Sequence, residues 1–252
     1  EGKGIKHICL PGEITERVSP PELAARYVDG LLDPVRMPRA SLLSLQKSMG
    51  PYGYAAQILQ YPVPPGGGLF KTEKLDFHHE MPKGIVRFVR SWDKAGTKDG
   101  GAWSVGLLMG VTANNHFWIL DIVRGQWAAT EREQKIRETA EEDGDEVEIL
   151  LEIENGSGGK ESGENTVRNL AGFKVHIFHP TGDKESRAHA FAVQVGAGNV
   201  HCMVGPWNRA FVEELAFFPH SKYKDQVDAG SGAFNKLAKK KLKIGGLWTN
   251  TR

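Results

Sequence analysis

The 252-residue sequence is 40% hydrophobic and 25% charged, ordinary globular values that leave room for one domain of about 150 residues plus further elements. With 32 Lys and Arg against 31 Asp and Glu, the net charge of +1 gives no overall argument for a polyanionic partner. Cys9 and Cys202 are too few for a disulfide framework or a cysteine-ligated zinc site, and are expected to be buried small hydrophobes. No apolar run reaches about 18 residues and no signal-peptide pattern opens the chain, so a soluble, intracellular protein is expected. A start at Glu1 rather than Met suggests part of a longer chain.

Residues 1–80 are broken by prolines at 11, 20, 21, 34, 38, 51, 62, 64 and 65, which leave short helical windows at 21–32 and 40–49, the second stopped by Gly50. The Pro- and Gly-rich stretch 61–68 reads as a linker, and a boundary is expected near 80. Beyond it, Ile-, Val- and Phe-rich runs predict strands near 85–92, 102–111 and 116–123, with Ala113-Asn114-Asn115 as a hairpin turn. A polar helix at 130–142 follows, with Thr130 as N-cap and Glu133 completing a capping box. Then come a buried strand at 147–153, a helix near 161–171, a strand at 174–178, a helix near 183–194, a short strand at 200–203, and helices near 207–217 and 225–240. Hairpins followed by β/α alternation predict an α/β fold, a mixed sheet flanked by helices. The acidic stretch 131–148 contrasts with Lys236, Lys239, Lys240, Lys241 and Lys243, which suit a solvated helix face as well as DNA.

Three acidic positions lie where such a sheet would gather them. Asp93 ends the first of these strands, Glu152 and Glu154 share one face at the end of another, and Ile149, Leu151 and Ile153 point the opposite way. Asp225 and Asp228 are neighbours at i and i+3 in the first turn of the last helix. Crowded carboxylates repel one another, and hard divalent cations such as Mg²⁺ relieve that repulsion. Two such ions can drive phosphodiester hydrolysis without a His or Cys nucleophile. Each acid also has a plainer reading: Asp93 as a turn starter, Asp225 as a favourable first-turn charge, and Glu152 as half of a salt bridge.

The segment 90–100, Arg-Ser-Trp-Asp-Lys-Ala-Gly-Thr-Lys-Asp-Gly, resembles the nuclease domain of bacteriophage terminase large subunits. In the same order, 120–125, 152–160, 181–188 and 224–229 also resemble that family's motifs. Upstream, 53–62 and 67–70 resemble the segment joining its ATPase domain to its nuclease, so residues 1–80 would be the end of the ATPase domain and the linker. The resemblance implies a ribonuclease H-like endonuclease that cuts concatemeric viral double-stranded DNA with two Mg²⁺ or Mn²⁺ ions during packaging. The portal protein and small terminase subunit would be partners and the host cytoplasm the location.

Carried over residue by residue, Asp93 would bridge the ions, Glu152 (or Glu154) and Asp225 would each complete one site, and Asp228 would assist. Lys224 stands where the family has the first Asp of an Asp-Asp pair. Lys184 and Arg187 resemble a basic pair that would meet DNA phosphates, or are surface charge on a helix. The run 156–160, ending in Lys160, is expected as a loop passing close to DNA or metal. It is not a Walker A motif, because Glu154 and Glu161 stand where Gly and Ser or Thr are needed, so no ATPase activity is expected. Rival readings are a non-catalytic DNA-gripping module, or another ribonuclease H-like enzyme such as a junction resolvase or transposase.

Overall fold

A computed structural model describes residues 7–62, 68–95, 101–153 and 157–239. The chain divides into two compact units. One runs to Phe70 and takes in Leu215–Ser221, and the other comprises Lys71–Glu214 and resumes at Lys222.

In the first unit, Pro21–Arg26 forms a short 3-10 helix rather than the longer helix expected over 21–32. Asp29 and Gly30 both take positive φ, and Leu31 bridges to Val28 and Glu13, so the chain turns where a helix would have continued. Helix α1, Arg39–Gln57, is two helical segments joined at Gly50, whose φ of 67° ends the first of them at the expected place. Leu31, Leu42 and Tyr54 form a small core beneath them. Cys9, like Cys202 in the second unit, is buried and free.

The second unit is built on a seven-stranded mixed sheet with the order β1-β7-β4-β3-β2-β5-β6. The strands are β1 Asp76–His78, β2 Ile85–Asp93, β3 Ser104–Thr112, β4 Phe117–Gly125, β5 Val147–Glu152, β6 Val175–Phe178 and β7 Val200–Met203. The helices are α2 Ala129–Asp143, α3 Ser157–Asn169, α4 Lys184–Gly196, α5 Asn208–Phe217, which crosses from this unit into the first, and α6 Asp225–Ala238. The expected hairpin turn is present, with Asn115 at φ 62°. The division at Phe70 and Lys71 falls ahead of residue 80 because β1, absent from the sequence-based reading, pairs with β7 in the sheet. Three residues are too few to show a strand period.

Two further details differ from expectation. Helix α2 starts one residue before Thr130, with Ala128 at the cap position and no side-chain cap. Glu133 instead accepts a hydrogen bond from Thr166 of α3 and lies 3.7 Å from Lys94 Nζ, so tertiary partners outcompete the capping box. The run expected as a loop before Lys160 is helical from Ser157 onward. Packing of Val167 and Leu170 in and beside the core outweighs the helical cost of its glycines.

The strand period assigns the two faces. Trp92, Ile149 and Leu151 pack with Ile136 and Ala140 of α2 on one face. Ser91 and Leu150 lie under α6 on the other. There, a Cβ on Gly232 would stand 2.7 Å from Ser91 Oγ, so glycine lets α6 lie close on β2. No helix among the described residues is long and apolar enough to cross a membrane.

Candidate active site

Strands β2 and β5 are parallel neighbours, with Trp92 opposite Leu151, so their next residues, Asp93 and Glu152, end side by side. Both fall on the α6 face, because Asp93 is two residues from Ser91 and Glu152 two from Leu150. The close seat of α6 brings Asp225 and Asp228, in its first turn, over the same strand ends. Three elements far apart in sequence thus gather four carboxylates.

The convergence has electrostatic consequences. Burial first, and then the charges of Glu152, Asp228 and Asp225, hold the Asp93 carboxyl well above the usual carboxylate range, with Lys184 opposing them. Asp225 is also raised, mainly by burial, although the Trp103 backbone N–H donates to its Oδ2 at 2.8 Å and favours the charged form.

Two cations answer these acids. Lys184 and Arg187, at i and i+3 on α4, both pair with the buried Asp228, Arg187 at 3.1 Å. Arg187 also lies 3.6 Å from Glu152. Burial opposes the charge on Lys184, but its hydrogen bond to Asp228 and the charge there hold its pKa above the usual lysine value. The expected basic pair therefore sits inside the acidic cluster, with Lys184 half exposed and Arg187 largely covered. Lys160 is exposed on α3. Glu154 lies outside the described residues, as do Lys240, Lys241 and Lys243.

Sequence reasoning missed the groups that hold the cluster in place. The buried Glu214 of α5 accepts from the backbone N–H groups of Gln226 (2.7 Å) and Val227 (3.0 Å), closing the open N-terminus of α6 from a neighbouring helix. Burial pushes its carboxyl up to about 7, against those hydrogen bonds. Lys94, beside Asp93, donates to Ser162 and Thr166 and ties the end of β2 to α3. No local spacing announces such contacts, which exist only once the helices are packed.

No protein-family model and no curated protein matches this chain in sequence. Solved structures do match. The large terminase nuclease from thermophilic phage G20c with bound magnesium aligns over 69% of this chain and 99% of its own, at 13% identity and a TM-score of 0.51. The same nuclease with bound zinc aligns over 67% and 98%, at 14% identity and a TM-score of 0.50. The seven-stranded mixed sheet and its flanking helices are therefore the ribonuclease H-like fold of phage large terminase nucleases.

Proposed function

We propose that this chain is the nuclease of a viral DNA-packaging motor, a metal-dependent endonuclease that cuts concatemeric double-stranded DNA. The observation that carries the reading is Asp93, a partly buried carboxylate at a strand end whose charge is opposed by three further carboxylates from β5 and α6. Lys184 and Arg187 offset only part of that repulsion, and the all-oxygen donor set suits Mg²⁺ or Mn²⁺. In this reading Asp93, Glu152 and Asp225 would hold the ions and Asp228 would assist. Bound there, the ions would supply the charge stabilisation that phosphodiester hydrolysis needs. The similar structures with bound magnesium and with bound zinc agree with use of divalent ions.

The chain's own groups prepare this site. The Trp103 N–H fixes one oxygen of Asp225, and Glu214 anchors the helix that carries Asp225 and Asp228. Arg187 and Lys184 hold Asp228 and offset part of the negative charge. Half-exposed Lys184 is placed to exchange its carboxylate for a DNA phosphate, and Lys160 offers a further backbone contact. In this reading the portal protein and the small terminase subunit are partners of the longer chain, and the motor's ATPase is not contained here.

Incubation of supercoiled plasmid with Mg²⁺ or Mn²⁺ tests the proposal. Wild-type protein should nick and linearise it, and Asp93→Ala should not. Equal cutting by both would sink the site, duplex binding without cutting by wild type would favour a gripping module, and strong preference for branched DNA would favour a resolvase.

A further inference from the structure

A second group of potential ligands lies at the opposite end of the sheet. On β1, Asp76 and His78 share a face at i and i+2, and the parallel register places Asp76 beside His201 of β7. Register from Trp118 through Gly110 to Phe88 leaves five residues of β2 before Asp93, about 17 Å along the strand. This group is therefore separate from the carboxylate cluster. One carboxylate oxygen and one nitrogen from each imidazole all lie within 4.8 Å of one another. Asp76 Oδ2 is 2.9 Å from His78 Nε2 and 3.6 Å from His201 Nδ1.

The orientation of the imidazoles is what points to a ligand. His78 Nε2 and His201 Nδ1 are both shielded from solvent and both face the same Asp76 oxygen, without the alignment of a hydrogen bond. Buried polar atoms are normally satisfied, so two such nitrogens facing one carboxylate are unusual. The other nitrogen of His201, Nε2, lies 2.8 Å from His116 Nδ1, and the ring stacks on Trp118. A proton on His201 Nε2, donated to His116, leaves the Nδ1 lone pair aimed at Asp76. Metal-bound histidines have this arrangement, in which the second nitrogen is held by an outer partner.

We propose that Asp76, His78 and His201 form a divalent transition-metal site, with zinc the preferred ion, oriented by His116 and Trp118. Two imidazole nitrogens and one carboxylate oxygen suit zinc better than magnesium, which prefers oxygen ligands. A tetrahedral zinc with bonds near 2.0–2.1 Å sets its ligands about 3.3 Å apart, close to the two separations given above. Three ligands leave a fourth position for water. Because two ligands come from β1 and one from β7, the ion would pin a three-residue edge strand to the sheet.

Cobalt(II) and zinc titrations of the whole chain in excess magnesium, which fills the carboxylate cluster, test this. Wild type should take up one Co²⁺ with visible d–d absorption and quench tryptophan fluorescence through Trp118, and Zn²⁺ should displace it. Asp76→Asn and His78→Ala, both at partly exposed positions, should remove the signal, while Asp93→Ala should retain it. His116→Ala should weaken binding by about tenfold. Absence of saturable binding to wild type, unchanged binding in both ligand variants, or loss of binding in Asp93→Ala would each overturn the assignment.

Discussion

Asp93 shows what a strand-end carboxylate experiences when the fold surrounds it with like charge. Its pKa is raised by burial and by Glu152, Asp228 and Asp225, so the ionised form costs folding free energy when no cation is bound. Asp93→Asn should accordingly stabilise the metal-free protein, by on the order of 1–3 kcal/mol, while abolishing cleavage. Thermal melts in chelator beside plasmid nicking check this, and a lower melting temperature with cutting retained would contradict it. Glu214 gives a pH prediction of definite sign. Its folded pKa of about 7 lies above the ordinary 4.5, so its contribution to stability is complete below the lower value and is lost as pH rises through the higher one. Between pH 5 and 8 wild type should lose on the order of 2 kcal/mol more than Glu214→Gln, as read by chemical denaturation at each pH. Equal losses would mean that Glu214 ionises freely in the folded protein.

At the level of elements, helix α6 carries half of the carboxylate cluster, and its seat is decided by small residues. Because a Cβ at Gly232 would stand 2.7 Å from Ser91 Oγ, Gly232→Val must lift the helix or displace β2. Overpacking of this kind costs about 1–3 kcal/mol, and nicking should fall although every carboxylate remains. Gly232→Ala is the finer probe. Its clash is with the serine hydroxyl, so adding Ser91→Ala should restore stability and activity together, a coupling that additive effects would exclude. The longer strands from β2 onward were readable from sequence because their apolar runs are long and bounded by turn residues. The cap of α2 was not, since Thr130 and Glu133 satisfy a local rule that Thr166 and Lys94 override. Strand β1 is likewise set by a partner distant in sequence.

Over the whole molecule, divalent ions should couple to stability. Ions that bind only the folded cluster raise the unfolding free energy, by about 2.7 kcal/mol at a hundredfold excess over the dissociation constant. Melting of wild type should rise with Mg²⁺, that of Asp93→Asn should not, and equal shifts in both would place the ions elsewhere. The amino-acid order by itself determined the α/β class, most strand positions, and that Glu152 points away from Ile149 and Leu151, because side-chain period and apolar content are local properties. Asp225 and Asp228 were legible as a pair, but their position over Asp93 came from α6 lying on Gly232. Only the tertiary structure decided that Lys184 and Arg187 face the acids, that Glu214 closes the end of α6, and that Asp76, His78 and His201 meet. Those contacts join residues from 12 to more than a hundred positions apart, and only packing and strand register, which local sequence does not encode, bring them within a few ångströms.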